Sequence, residues 1–184
     1  MNVKDMLRQA SDAAKQLITL SDQTIIGILK ETAQVLRTHT EEVLAANRQD
    51  LERMDPANPK YDRLKLTEER LQGIAADMEN VSTLPSPLNK VLSETIRPNG
   101  MVIRKVTVPF GVIGVIYEAR PNVTFDVFSL CFRSGNVCVL KGGSDADFSN
   151  RALVRIIHSV LERQGINPAV CTLLPPDREA TAEL

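Results

Sequence analysis

The spacing of apolar residues divides the chain into a helical first half and a second half in which short apolar runs alternate with helical patterns. Over residues 1–90, apolar positions recur three and four residues apart in four stretches, the period of an amphipathic helix. Ser21 and Thr67 precede the second and fourth stretches as helix caps, and Thr40 opens the third. Prolines at residues 85–87 end the last stretch. We therefore predict four helices in residues 1–90.

The pattern changes period after residue 90. Residues 91–97 and 101–107 are β-prone runs separated by Pro98-Asn99-Gly100. Asn-Gly between such runs is a strong hairpin signal, because both turn positions tolerate a positive φ. A hairpin of this size is marginally stable alone, so we expect it to pack against another surface, with a neighbouring subunit as one candidate.

Residues 108–184 alternate between apolar runs and helical patterns. The run at 112–117 is nearly all apolar, which is typical of a parallel strand covered on both faces. Residues 137–140 and 170–173 are predicted to form the next two strands, each reached through a helix. The fold class predicted is α/β, with N-terminal helices followed by a β-hairpin and an incomplete doubly wound parallel sheet.

Residues with special backbone or capping chemistry mark the ends of these helices. Asn122 or Thr124 is expected to cap the first helix, which Gly135 ends, and Ser149 to open the second. Asp177 is expected to cap a last helix that has barely begun when the chain stops. Because three strands and an unfinished helix leave a sheet incomplete, we expect the chain to be the front part of a longer protein.

The charge balance argues against a nucleic-acid or membrane partner. The 184 residues include 22 Lys and Arg against 23 Asp and Glu, and Trp is absent. Such a chain has no basic field for a polyanion and few rings for base stacking. No stretch approaches the roughly 20 apolar residues that span a bilayer, and the N-terminus lacks the pattern of a signal peptide.

Cysteine and histidine usage favours a reducing compartment and no metal. Cys131, Cys138 and Cys171 all stand in apolar contexts and are predicted to pack in the core as free thiols, as in the cytoplasm. His39 and His158 are far apart in sequence, so a metal site is not predicted.

Two polar segments follow the predicted strands and are candidates for chemistry. Lys141-Gly142-Gly143-Ser144 is either a solvated turn or a site where an ammonium and close backbone meet a sugar or a phosphate. In the loop of residues 118–122, the planar fork of Arg120 suits a carboxylate or phosphate, although Arg120 could equally pair with Glu118 at the surface. Carboxyl ends of adjacent parallel strands share one sheet edge, so we expect Lys141 and Arg120 to face a common cleft.

A family resemblance adds to this reading. The segment VPFGVIGVIYEARPNVTFDVFSLCFRSGNVCVLKGG at residues 108–143 closely resembles the gamma-glutamyl phosphate reductases of proline biosynthesis, a family of the aldehyde dehydrogenase superfamily. The likeness extends to Tyr61-Asp-Arg-Leu64, to Ile74-Ala75-Ala76-Asp77 and to Pro176-Asp177-Arg178, and so covers nearly the whole chain.

The resemblance implies an oxidoreductase that uses NADPH to reduce L-glutamyl 5-phosphate to L-glutamate 5-semialdehyde, releasing phosphate. In the superfamily the lysine after the second strand contacts the adenosine ribose, which is Lys141 here. Ser144 stands where many relatives have an acid, so nothing at that position repels a 2′-phosphate and NADPH is the expected cofactor. The residues implied to bind cofactor are Tyr117, Glu118, Ala119, Lys141, Gly142, Gly143 and Ser144, and those implied to meet the phosphoryl end of the substrate are Arg120 and Asn122.

The resemblance also implies what this chain lacks. The family nucleophile is a cysteine expected beyond Leu184, so no catalytic residue is assigned here. Residues 1–90 would form the helical part of a cofactor-binding domain, 91–107 an oligomerisation hairpin of a homo-oligomer, and 108–184 a partial Rossmann-like region. An acylating aldehyde dehydrogenase and a non-catalytic nucleotide-binding or assembly module remain as alternatives.

Overall fold

The computed structural model describes residues 2–183, which form helices, a separate hairpin and a small parallel sheet. In chain order the elements are α1 (Val3–Leu17), α2 (Asp22–Thr38), α3 (Thr40–Glu52), α4 (Tyr61–Leu64), α5 (Glu68–Thr83), β1 (Val91–Ile96), β2 (Val102–Val106), β3 (Val112–Ile116), α6 (Asn122–Arg133), β4 (Val137–Lys141), α7 (Asp147–Arg163), β5 (Cys171–Leu173) and α8 (Arg178–Glu183).

The caps predicted for the N-terminal helices are confirmed where side chains take part. Ser21 accepts a hydrogen bond from the backbone N–H of Thr24 at 3.1 Å, and Thr67 accepts one from Arg70 at the same distance. Thr40 is the first residue of α3. The one-turn helix α4 was not predicted, because four residues are too few to show a period.

The hairpin forms as expected, but its turn differs from the predicted one. The backbone N–H of Gly100 donates to the carbonyl of Arg97, and Arg97 N–H donates to the carbonyl of Met101, both at 2.9 Å. Gly100 has φ of 83°, whereas Asn99 is not in the positive-φ region. The turn is therefore built around Pro98 and Asn99 with a glycine in the left-handed region after it, because Pro98 fixes a negative φ ahead of Asn99.

The parallel sheet has the order β3-β4-β5. Val112 pairs with Val137 and Ile116 with Lys141, so the strands end at one edge. Every residue of β4 is buried, between α6 and α1. The prediction that the first strand is covered on both faces is wrong: β3 is an edge strand whose alternate residues are exposed, and Ile116 is 60% exposed.

Two predicted helix starts are also wrong. Neither Asn122 nor Thr124 caps α6; Pro121 occupies that position without a side-chain hydrogen bond. Helix α7 begins at Asp147, after a single 3-10 turn, so that Ser149 lies inside its first turn. The predicted stop at Gly135 is confirmed: with φ of 72° it lets Asn136 N–H reach back to the carbonyl of Cys131 at 2.8 Å.

One hydrophobic core joins the N-terminal helices to the sheet. Helices α2 and α5 pack on α6, where Phe128 and Phe132 stack with ring centres 5.2 Å apart. Arg133 crosses this interface with its guanidinium buried, donating to the carbonyl of Leu84 and to Asp22. Among residues 2–183, no helix combines the length and apolar character that crossing a bilayer requires.

Candidate ligand-binding cavity beside the parallel sheet

The loop after β3 turns sharply before α6 begins. Tyr117 N–H donates to the carbonyl of Lys141 at 3.0 Å, which extends the β3–β4 ladder by one bond. Arg120 N–H then donates to the carbonyl of Glu118 at 2.9 Å, a three-residue turn. Ala119 is buried at this turn, whereas Arg120 is exposed. The turn thus places the Arg120 side chain at the protein surface, next to the start of α6.

Arg120 and Asn122 line a cavity of about 400 Å³ between α6, α5 and the segment around α4. This volume lies within the range of roughly 300–1,000 Å³ that small-molecule sites occupy. The floor is apolar and the rim is charged. The charged residues of the rim, apart from Arg120, are Asp62, Arg63, Lys65, Arg70 and Asp77.

Asn47, buried on α3, fixes the wall that carries Lys65. Its side-chain carbonyl accepts from Leu66 N–H at 2.8 Å, and its amide donates to the carbonyl of Leu64 at 2.8 Å and to the hydroxyl of Ser149 at 3.0 Å. The backbone on both sides of Lys65 is therefore tied to α3 and α7 through one side chain.

Asp50, one turn further along α3, supplies the cap that α7 lacks in its own sequence. Its carboxylate accepts from the backbone N–H of Phe148 at 3.2 Å and of Ser149 at 2.8 Å, and from the Ser149 hydroxyl at 2.6 Å. Burial raises the pKa of Asp50, and the hydrogen bonds from Ser149 and Phe148 oppose that rise. The predicted role of Ser149 as a cap is thus filled from another helix.

Arg70 is committed to the cavity wall. Its guanidinium donates to the backbone carbonyls of Asp62 and Lys65, both at 2.6 Å, and to the Asp62 carboxylate at 3.0 Å. Arg63 and Lys65, in contrast, form no salt bridge within 4.0 Å to any residue of the described chain. The same holds, within residues 2–183, for Arg120, so the pairing of Arg120 with Glu118 left open by the sequence does not occur.

The acidic end of the cavity lies between α5 and α6. Asn122 donates its amide to the Asp126 carboxylate at 3.0 Å. Burial raises the pKa of Asp126; the Asn122 hydrogen bond opposes this, and the negative charge of Asp77 adds to it. Asp77 lines the cavity and Asp126 lies behind Asn122, so this end of the cavity is negatively charged.

Lys141 lies at the end of β4, as predicted, but its ammonium is not solvated. The residue is 6% exposed and donates to the carbonyls of Gly142 and Pro176, both at 3.1 Å. An ammonium has three N–H donors, so one remains for a ligand. Lys141 does not line the cavity that Arg120 lines. The two side chains therefore do not share this cavity, contrary to the expectation from the sequence.

Of the two glycines after Lys141, Gly142 leaves no room for a side chain, whereas a side chain at Gly143 would meet its neighbour at ordinary contact distance. A Cβ on Gly142 would lie 2.3 Å from the Asn150 amide nitrogen, and one on Gly143 would lie 3.4 Å from the backbone of Glu118. Asn150 also accepts from the Thr124 hydroxyl, which bonds in turn to the Tyr117 hydroxyl at 2.7 Å. Burial raises the pKa of the Tyr117 phenol well above its ordinary value. These contacts connect the loop of residues 117–122 to the turn of residues 141–144.

Two basic residues flank the turn of residues 141–144 and were missed by the sequence analysis. The Lys60 ammonium lies 3.2 Å from the Glu118 carboxylate and 4.0 Å from that of Asp145. Arg53 donates to the backbone carbonyl of Ser144 at 3.3 Å, and its guanidinium lies over the Phe148 ring at 5.3 Å from the centroid. Both come from the connection between α3 and α4, whose approach to the turn has no signature in the sequence.

The structure thus separates the predicted site residues into two groups. Arg120 and Asn122 line the cavity, whereas Glu118, Lys141 and the turn that follows lie around the end of β4. The charged cavity residues missed by the sequence analysis were Asp62, Arg63, Lys65, Arg70 and Asp77. Three of them, Asp62, Arg63 and Asp77, lie within the short stretches that carry the family resemblance, which was the available clue.

The cysteines are confirmed as buried, and no disulfide joins them. Burial raises the pKa of Cys131 to about 12, and the pKa of Cys138 is also raised, through its contact with Cys171 and by burial. Such thiols carry almost no thiolate at neutral pH and do not act as nucleophiles.

Solved structures show which class of protein shares this fold. An acetylating aldehyde dehydrogenase from Geobacillus thermoglucosidasius superposes on 99% of this chain with a TM-score of 0.74 at 17% identity, and the chain covers 38% of it. At that identity the match concerns the fold alone. The fold is that of the aldehyde dehydrogenases, with less than half of such a chain present.

Sequence relatives show which family with this fold the chain resembles. Curated gamma-glutamyl phosphate reductases from Azobacteroides pseudotrichonymphae and Bacteroides thetaiotaomicron are 63% and 61% identical over 182 and 183 residues, and cover 99% and 100% of this chain. The reductase structure from Thermotoga maritima matches the whole chain with a TM-score of 0.94 at 31% identity, and 45% of that chain is covered. No family model matches the chain.

These matches confirm the resemblance expected from the sequence: the chain is homologous to gamma-glutamyl phosphate reductases along its whole length. It spans 43–44% of the length of the two curated relatives.

Proposed function

We propose that this chain supplies part of a reductase that converts L-glutamyl 5-phosphate to L-glutamate 5-semialdehyde and phosphate in proline biosynthesis. The observation that carries the proposal is the cation-rich cavity lined by Arg120, in a chain 53–63% identical to curated reductases of that name. A guanidinium pairs well with a phosphoryl group because its planar fork donates two parallel hydrogen bonds. A simple aldehyde needs no such group, which favours this family over another aldehyde dehydrogenase.

NADPH is the cofactor we propose, and it would supply hydride when bound. Lys141 has one ammonium N–H left for a ribose hydroxyl, and Tyr117, Glu118 and Ala119 follow directly after β3, the strand that pairs with β4. The guanidinium of Arg53 touches the turn at Ser144, where a 2′-phosphate would be recognised. These contacts support NADPH rather than NADH, which lacks that phosphate.

We propose that the nucleophile comes from outside this chain. In the proposed reaction a cysteine thiolate would attack the acyl carbon and phosphate would leave; NADPH, when bound, would supply the hydride that releases the aldehyde and returns the thiolate. Cys131 and Cys138 have raised pKa values and are buried, as is Cys171. We therefore expect the chain alone to show no steady consumption of NADPH with L-glutamyl 5-phosphate, and sustained turnover would contradict this.

A segment exchange tests the function directly. The chain would replace the matching segment of the Bacteroides thetaiotaomicron reductase, to which it is 61% identical, and NADPH oxidation would be measured with L-glutamyl 5-phosphate. We expect the exchanged protein to keep activity, Arg120→Gln to lower kcat/KM for the acyl phosphate, and Lys141→Ala to raise KM for NADPH. A folded but inactive exchange, beside an active parent, would overturn the proposal.

We also propose that the hairpin packs on a second copy of the chain and that the protein works in the cytoplasm. All residues of β1 and β2 are exposed, and apolar side chains such as Leu92 and Ile103 are among them. Three buried free thiols suit a reducing compartment. Light scattering at high concentration tests the first point, and a clean monomer would count against it.

A further inference from the structure

The cavity holds charged groups that the proposed chemistry does not use. Arg120 meets the phosphoryl end in that proposal, which leaves Arg63 and Lys65 on the α4 side and Asp77 on α5 without a role. Asp77 forms no salt bridge within 4.0 Å in the described part of the chain. Arg70 and Asp62, which also line the cavity, bind each other and are not free to meet a ligand in the same way.

The free charges of the cavity match those of an amino acid that carries a phosphate. Three cations, Arg63, Lys65 and Arg120, stand against one carboxylate, Asp77. L-Glutamyl 5-phosphate offers one ammonium, one carboxylate and one doubly charged phosphoryl group. A ligand that carried only negative groups would leave the Asp77 carboxylate beside it without a partner. An unpaired like charge beside a ligand opposes binding.

The position of Asp77 indicates which group it would meet. Asp77 on α5 lines the cavity, and Asn122, which also lines it, donates to the Asp126 carboxylate, so two carboxylates lie at this end. A bound ammonium is attracted to this end, whereas a bound carboxylate is repelled by it. Asn122 donates to Asp126 from the same wall and so links the acidic end to the loop that carries Arg120.

We propose that this cavity selects an α-amino acid: Asp77 binds the α-ammonium, Arg63 and Lys65 bind the α-carboxylate, and Arg120 is left for the phosphoryl end. This inference rests on the proposed function, because it orients that substrate in the cavity. It assigns Asp77 as the residue that distinguishes L-glutamyl phosphate from acyl phosphates without an amino group.

Calorimetry on the chain tests the assignment with three probes. L-Glutamate carries both headgroup charges, glutarate lacks the ammonium, and 4-aminobutyrate lacks the α-carboxylate. We expect Asp77→Asn to weaken L-glutamate binding about tenfold, the scale of one charge-assisted hydrogen bond, and to leave glutarate binding unchanged or stronger. Lys65→Gln should weaken L-glutamate but not 4-aminobutyrate. Asp12→Asn, a remote exposed acid on α1, is the matched control and should change neither.

Three outcomes would overturn the headgroup assignment. They are no binding of L-glutamate by the unaltered chain, an unchanged affinity in Asp77→Asn, or equal losses for L-glutamate and glutarate. Circular dichroism of each variant shows whether the helices are retained, and Asp77→Glu should restore part of the lost affinity.

A fourth probe separates this inference from the proposed function. In the phosphonate analogue of L-glutamyl 5-phosphate, a methylene group replaces the anhydride oxygen. If this analogue binds no more tightly than L-glutamate and ignores Arg120→Gln, the proposed function fails at its phosphoryl end. If it binds tightly and depends on Arg120 but not on Asp77, the headgroup assignment alone is wrong.

Discussion

Asn47 provides the sharpest test of how the cavity wall is held. It is 1% exposed, and replacing it with alanine removes three hydrogen bonds, to Leu64, Leu66 and Ser149. The Ser149 hydroxyl keeps its bond to Asp50, but the carbonyl of Leu64 and the N–H of Leu66 lose a partner in a buried setting. The perturbation is therefore two orphaned backbone groups rather than lost apolar packing.

The expected cost follows from those two groups. Each buried polar group left without a partner costs about 1–3 kcal/mol. Allowing for some relaxation around the smaller side chain, we expect Asn47→Ala to lower the free energy of unfolding by about 2–5 kcal/mol, a large part of the roughly 5–15 kcal/mol typical of a domain. Asn80→Ala, on the exposed face of α5, should change it by less than about 0.5 kcal/mol.

Urea denaturation followed by circular dichroism measures this difference. Because the variant buries nearly the same surface, the slope of free energy against urea should stay constant and the midpoint should fall, by about 1–2 M for a slope of 2–3 kcal/mol per molar. A loss below about 1 kcal/mol would refute the reasoning, since it would mean that water or a local shift satisfies both backbone groups.

Three further predictions concern backbone freedom, pH and thiol reactivity. Gly73→Ala should stabilise the protein by about 0.5–1 kcal/mol in thermal unfolding, because a Cβ there meets nothing within 4 Å inside a helix; Gly27→Ala is the matched case, and a destabilised Gly73→Ala would contradict the reasoning. Burial raises the pKa of Asp126 in the folded state, so its contribution to stability is present below the ordinary aspartate pKa of about 4 and is lost as pH rises through the folded pKa. The stability of Asp126→Asn relative to the unaltered protein should therefore increase as pH rises from 3.5 to 7, with the increase beginning at about pH 4. The relative stability of Asp12→Asn should decrease over the same range, because Lys15 lowers the pKa of Asp12. Cys131 and the other two thiols should resist a thiol reagent at neutral pH until the protein is unfolded, and one fast-reacting thiol in the native state would be the contrary result.

The sequence predicted some caps and stops correctly from local rules, although the starts of α6 and α7 were not among them. Thr67 caps a helix and Gly135 ends one for reasons contained in a few neighbouring residues, and both predictions held. The apolar run before residue 117 predicted a strand correctly but not its exposure, because whether an edge is covered depends on elements elsewhere in the fold. Apolar composition alone does not distinguish a central strand from an edge strand.

The candidate site was harder to predict because its walls come from distant segments. Asp50 caps α7 from a position 99 residues earlier than Ser149, which no local pattern reveals. Arg120 was identifiable from its loop, but Lys65 and Asp77 join it only once α4 and α5 pack beside α6. Lys141 shows the converse: its position at a strand end was predictable, and the two carbonyls that hold its ammonium were not.

The hydroxyl of Thr124 has a consequence for how variants of this protein are interpreted. It bonds on one side to Tyr117, in the stretch leading to Arg120, and on the other to Asn150, which closes over Gly142 beside Lys141. This one hydroxyl therefore links the segment before Arg120 to the turn beside Lys141, the two places where we propose that the substrate and NADPH bind. We expect Thr124→Val, which keeps nearly the same shape, to change the affinity for both proposed ligands, because it breaks this link.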